Sequence, residues 1–327
     1  MSRSRLLWLL GWAAATAIGV VAFSRVRWGE VASVLAGGAP GWLAVAALLN
    51  LSILGLWATQ WRLFLPRGAV LSLRSMFEVV AVVSTVANGG PPLTGHATGA
   101  HLLAGRVGTA GSRYAQGVAV VALDQLAEGL AKVLLLVAVL AFTPLPPALE
   151  GALTTLLVAV GVLGAGLLWA AHRVTAPSPA DPAEGPVLAA TGAGRVTAFL
   201  RNVAASLDAL RDPRMAVGGL ALALAMKAAE LGGIWAVQRG FGVDLGLGGS
   251  LLVLASVSLA TMVSVAPANL GVYEASAFAA YRLAGVDPEM ATALALAQHA
   301  VYLLPATGTG WLLLTLTGPA RTAEGGD

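Results

Sequence analysis

Cysteine is absent from this 327-residue chain. That excludes a disulfide framework, a thiolate-bound metal and a thiol nucleophile. Charge is also scarce: Asp, Glu, Lys and Arg make up 11% of residues, where a soluble domain carries about 25%. The only lysines are Lys132 and Lys227, so the formal net charge of +3 rests almost entirely on arginine. The four histidines lie without metal-ligand spacing, and no cofactor is expected. There is no Gly-x4-Gly-Lys-Ser/Thr phosphate loop, which argues against nucleotide hydrolysis. There is likewise no Asp-Asp pair, Ser-His-Asp order or His-x-x-Glu-His string to carry hydrolytic chemistry.

What the chain has is apolar length. Hydrophobic residues reach 57% and mean hydropathy is +0.81, in stretches that recur from Leu6 to Thr317. This pattern predicts an all-α, polytopic integral membrane protein forming one transmembrane domain over residues 1–327, with no part large enough for a separate soluble domain. Windows of about 20 residues give six full spans: Leu6–Phe23, Gly41–Gln60, Val120–Phe142, Leu149–Ala171, Met215–Val237 and Met290–Thr317. Two further apolar stretches, Ser75–Asn88 and Ser250–Ala266, run into Pro/Gly breaks and read as descending limbs of re-entrant hairpins.

Arginines cluster at 3–5, 62–74, 106–113 and 173–214, whereas the Phe142–Glu150 connection has none. The positive-inside rule then places both termini in the cytoplasm of a cell inner membrane, with only Arg25 and Arg27 against it. Thr175–Gly194 is rich in Pro, Ala and Gly and reads as a cytoplasmic linker. Val196–Arg211, with Phe199, Val203, Leu207 and Leu210 on one face, reads as an interfacial helix. The chain thus divides into a first half, 1–171, a linker region, 172–214, and a second half, 215–327. With this parity the two hairpins enter from opposite faces, as in an inverted repeat. Pro91-x3-Gly95 is matched by Pro267-x3-Gly271, and each break is followed by a helix ending near a glycine, Gly105 or Gly285. Paired broken segments in two halves point to a binding site near the midplane.

Polar groups at membrane depth need partners or water. Asp124, Glu128 and Lys132 fall on one helical face at i, i+4 and i+8, and Lys227 and Glu230 form a second pair at i, i+3. Each set is either an ion pair bracing a bundle or part of a site. Glu78 reads as protonated, paired with an arginine of another helix, or facing a wet cavity. Glu274, one turn after Gly271, is either a helix cap or, with Asn269 and Tyr273, a cavity-lining carboxylate that binds a cationic headgroup or moves a proton. Arg106, Arg113 and Arg282 are the candidate phosphate partners, or else interfacial arginines that snorkel. His96 and His101 are polar lining of the first break, and His299 reads as a core histidine.

Pro267-Ala-Asn-Leu-Gly271-Val-Tyr-Glu274 resembles the Pro-Gly-Gly-x-Gly-x-x-Glu signature of the lysylphosphatidylglycerol synthase transmembrane-region family, flippase-like membrane proteins. Asn88-Gly-Gly-Pro-Pro92-Leu-Thr-Gly95-His96 is similar to the family's Pro-x-x-Gly-Glu segment, and Asp124-Gln-Leu-Ala-Glu128 falls where members often show Glu-Arg-x-x-Asp. His96 stands where an acidic residue is usual, and Ala268 and Asn269 stand in place of glycines. The resemblance implies the handling of lipids with polar or charged headgroups. The best-known members carry a fused aminoacyl-transferase domain, which is not found in this sequence, so the chain is not expected to make an aminoacylated lipid itself.

Two functions from different classes follow. One is a translocase for a lipid or lipid-linked headgroup, not driven by ATP, with anionic or aminoacylated phospholipids or polyprenyl-linked lipids as partners. The other is a membrane enzyme, or an assembly partner of a separately encoded synthase or glycosyltransferase, in lipid-headgroup modification. No nucleic-acid partner is expected.

Overall fold

The computed structural model describes residues 24, 26–65, 69–90, 92–107, 113–173, 212–262, 264 and 266–317. Among them the chain is helical, with no strand. The helices are α1 (Trp28–Ala36), α2 (Pro40–Leu63), α3 (Leu73–Gly89), α4 (Pro92–Arg106), α5 (Arg113–Phe142), α6 (Pro147–Arg173), α7 (Pro213–Gly240), α8 (Gly246–Met262), α9 (Val272–Leu283) and α10 (Pro288–Thr317). The expected span Leu6–Phe23, the linker and the interfacial helix lie outside the described residues.

Helix is the only open-ended element whose backbone satisfies itself where water is absent. Local sequence sets where these helices begin. Pro40 and Pro213 occupy first-turn positions, where a missing N–H is harmless, and the Asp212 carboxylate accepts from the Arg214 N–H at 3.0 Å. The Ser72 hydroxyl accepts from the Ser75 N–H at 3.1 Å to start α3.

Among the described residues, three helices are long and apolar enough to cross a bilayer: α2, Gln116–Phe142 of α5, and α7. Helix α10 runs 30 residues with Pro305 inside it, and α6 contributes a shorter apolar stretch, Glu150–Val162. Three of the six expected spans meet that length and apolarity; the expected spans Leu149–Ala171 and Met290–Thr317 fall on the continuous helices α6 and α10.

The order long helix, broken pair, long helix occurs twice: α2, α3/α4, α5 and then α7, α8/α9, α10. Helices α2 and α7 run antiparallel along their whole length. The Gln60 side-chain amide donates to the Gly219 carbonyl at 2.8 Å, and the Ala39 N–H donates to the Gly240 carbonyl at 2.8 Å at the other end. Glycines on α7 permit the approach, since a Cβ at Gly233 would lie 2.7 Å from Asn50 Nδ2.

The last long helix of each unit packs on the broken pair of the other. Helix α10 crosses α3 where Thr85 donates to the Thr307 carbonyl at 3.2 Å and a Cβ at Gly310 would strike the Ala81 carbonyl. Helix α5 meets α8 where the Thr143 hydroxyl donates to the Gly248 carbonyl at 3.0 Å. Antiparallel first helices with a reciprocal exchange of last helices are the arrangement an inverted repeat requires.

Two large apolar clusters result, with a small third around Ala131, Ala223 and Met226. One centres on the first unit, with Leu54, Trp61, Met76, Val79, Leu103 and Leu123, and borrows Ala306 from α10. The other centres on α7 to α10 and borrows Ala46, Leu135 and Val139. The polar interior lies between them.

Candidate functional site

The two charged pairs anticipated on separate helices form one cluster. Lys227 Nζ lies 2.8 Å from Glu128 Oε1 across the α5/α7 contact and 3.0 Å from Glu230 on its own helix. Lys132 closes the chain at 3.2 Å from Glu128. All four sit near the middle of their helices, where an isolated charge costs about 2.5–3.5 kcal/mol on insertion scales. Two carboxylates against two ammonium groups leave the cluster neutral, which offsets most of that cost while binding α5 of the first unit to α7 of the second.

The cluster faces two adjoining chambers of about 160 and 470 Å³. Asn50, Glu128, Lys132, Glu230, Asn269 and Tyr302 line both. Each broken segment contributes. Asn88 and His96 come from the first break, and Ala268 and Asn269 from the second.

The second break is a strained piece of backbone. A 3-10 turn at Pro267–Asn269 begins with buried Pro267 and places Ala268 at φ 52° and Asn269 at φ 56°. Left-handed backbone is cheap for glycine and tolerable for asparagine, but it costs alanine about 1–2 kcal/mol. These are the positions where glycine is usual in the signature that the sequence resembles. Gly271, at φ 79°, then caps α9.

Glu274 is buried, and it works on this turn rather than facing the chambers. One carboxylate oxygen accepts from the Gly271 N–H at 2.7 Å, and the other lies 2.7 Å from His299 Nδ1 on α10. His299 in turn stacks on Tyr273, with ring centroids 4.1 Å apart. Tyr273 does line the smaller chamber, where its hydroxyl accepts from the Gln298 amide at 2.9 Å. The Glu274–His299 pair thus holds the wall from behind.

The remaining sequence candidates separate cleanly. Asp124, Glu128, Asn269, Tyr273 and His96 come together on the cavity. Glu78 does not line either chamber; its carboxylate lies 3.4 Å from Arg74 one turn earlier, on its own helix rather than another. Arg106 points to the Ser75 carbonyl at 3.5 Å, and Arg282, an exposed residue, donates to the Val286 carbonyl, so neither is a cavity ligand. The side chain of Arg113 lies outside the described residues.

Asn50, Trp57, Gln298 and Tyr302 line the cavity and were not among the sequence candidates. Asn50 carried a usable signal, as an amide in the middle of an otherwise apolar span. Trp57 and Tyr302 carried none, because aromatic rings at membrane depth are ordinary.

The family described as lysylphosphatidylglycerol synthase TM region matches residues 8–310. The chain belongs to this family. No curated protein matches it. Membership agrees with the helical architecture and establishes a membrane-embedded protein related to lipid-headgroup handling. Among the described residues no group of three His, Asp or Glu side chains could hold a metal.

Proposed function

We propose that the protein carries a lipid headgroup across the bilayer through the central cavity, without nucleotide hydrolysis. The observation that carries this reading is the neutral Glu128–Lys132–Lys227–Glu230 cluster, three of whose members, Glu128, Lys132 and Glu230, line a chamber of about 470 Å³ bordered by both helix breaks. A purely structural ion cluster would be enclosed by side chains. A ligand pocket is a cleft of roughly 300–1,000 Å³ with a few converging polar groups in an apolar wall, and this chamber fits that description. Both charge signs are available to a headgroup, Lys132 for a phosphate and Glu128 and Glu230 for a cationic group.

Lipid tails would remain in the bilayer while the headgroup crosses between the two units. The arginine clusters support a topology with the 62–74 and 106–113 connections on the cytoplasmic side of a plasma membrane.

The test is headgroup accessibility in proteoliposomes, comparing the unaltered protein with Lys132→Gln over labelled phospholipids and polyprenyl phosphates. Protein-dependent flipping of one headgroup class, reduced at least tenfold in the variant, is the expected result. Folded protein that moves no lipid removes the reading.

A further inference from the structure

One buried carboxylate takes no part in the ion cluster. We propose that Asp124 is a proton-binding group and that a phosphate-bearing headgroup enters the cavity only together with a proton on that carboxylate; the inference rests on the translocation reading above. Asp124 is 4% exposed and lines the larger chamber. Its two oxygens each accept one neutral donor, Oδ1 from the Trp57 indole at 2.9 Å and Oδ2 from the Gln125 amide at 3.1 Å. Among the described residues no lysine or arginine pairs with it, whereas Glu128, one turn along the same helix, has two lysines.

The surroundings decide what that isolation does. Helix α2 presents the Trp57 and Trp61 rings, α4 presents His96, and α7 presents Lys227 and Glu230. Helix α8 brings Ser258 and Thr261, α10 brings Tyr302, and none of the described side chains of α6 lines either chamber. With His96 neutral, the ionised groups are Asp124, Glu128 and Glu230 against Lys132 and Lys227, which is three negative charges against two positive. The paired four cancel, so Asp124 alone sets the sign of the empty cavity.

A phosphate brought into a cavity of charge −1 meets net repulsion in a poorly screened interior. With a proton on Asp124 the cavity is neutral and that net repulsion is removed. Phosphate and proton therefore favour each other's binding, and by linkage the preference is mutual. The proton comes from water on the side where the headgroup enters and leaves with the headgroup on the other side. Phosphate is common to phospholipids and polyprenyl phosphates, so the coupling does not depend on which lipid is carried.

The experiment has two readouts on the purified full chain. The first is proton uptake when fluorescent phosphatidylglycerol binds in weakly buffered detergent, from pH 8 to pH 5. The second is flipping of the same lipid in vesicles of fixed composition over the same range. One proton taken up per lipid bound is expected, with apparent affinity rising about tenfold per pH unit of acidification while Asp124 is ionised. Asp124→Asn, neutral at every pH, should bind without proton uptake and flip independently of pH, and Asp124→Glu should restore both dependences.

Binding or flipping with no proton uptake, or an Asp124→Asn variant that keeps the pH dependence, overturns the proposal. Proton-linked binding without flipping supports the proton site and sinks translocation, and a protein that neither binds nor flips the lipid sinks both. If Asp124→Asn does not fold, Asp124→Glu together with the proton count on the unaltered protein decides.

Discussion

The first break is short and closed, and the second is long and propped. Helix α3 ends at Gly89 and α4 begins at Pro92, so Gly95 falls one turn inside a helix, where a Cβ would lie 2.5 Å from the Ala87 Cβ and 3.1 Å from the Val83 carbonyl. There glycine is needed for proximity. In the second break residues 263–271 separate α8 from α9, and Gly271 is a cap at φ 79°. There glycine is needed for conformation. The same Pro-x3-Gly spacing therefore serves two physical ends, and it does not mark equivalent positions. The glycines that follow differ too: Gly285, at φ 85°, ends α9, whereas Gly105 lies in the last turn of α4. Similarity between the halves resides in helix order and packing, and the breaks have diverged. The first supplies side chains to the cavity, and the second supplies strained backbone.

The sharpest way to break the comparison is to cut the tie between the units. Lys227→Met leaves Glu230 without its cation and Glu128 with one of two, and should lower stability by about 3–5 kcal/mol. Thermal unfolding in detergent measures this, and adding Glu230→Gln should recover part of the loss. If the single variant unfolds like the unaltered protein, the cluster does not join the halves.

Closure of the first hairpin is tested by Gly95→Ala. Overpacking against Ala87 should cost about 1–3 kcal/mol, and an unchanged melting temperature would mean that α3 and α4 separate easily.

The prop of the second hairpin is tested by Glu274→Ala. It strands the half-buried Gly271 N–H and the buried His299 Nδ1, which should cost about 1–3 kcal/mol. Hydrogen exchange should increase at 267–275 and remain unchanged at 83–99. Equal loosening of both breaks would contradict their independent construction.

The smallest effect is a gain. Ala268→Gly relieves a left-handed alanine and should stabilise the protein by about 1 kcal/mol. A loss of stability would indicate that the Ala268 methyl packs in a way that outweighs its backbone.

Much of the site was legible because charge at membrane depth is conspicuous. Glu128 with Lys132 and Lys227 with Glu230 were both visible as i, i+4 and i, i+3 pairs, but their union was not, since sequence spacing says nothing about which helices touch. Glu274 was conspicuous for the same reason and was assigned a choice of roles. Its hydrogen bond to His299, 25 residues away, depends on how α10 crosses α9. Glu78 shows a simpler lapse, because its partner Arg74 stands one turn earlier in the sequence.

Composition by itself determined that this chain is helical and membrane-embedded, because apolar stretches with so little charge leave the backbone no other way to satisfy its hydrogen bonds. Proline and glycine determined where the helices break. Only tertiary structure decided what the breaks enclose. The packing of α5 against α7 brings Glu128 beside Lys227, and Asp124, one turn earlier on α5, faces the cavity with no lysine or arginine paired to it among the described residues. The energy of a buried charge depends on groups that are distant in the chain and adjacent in space.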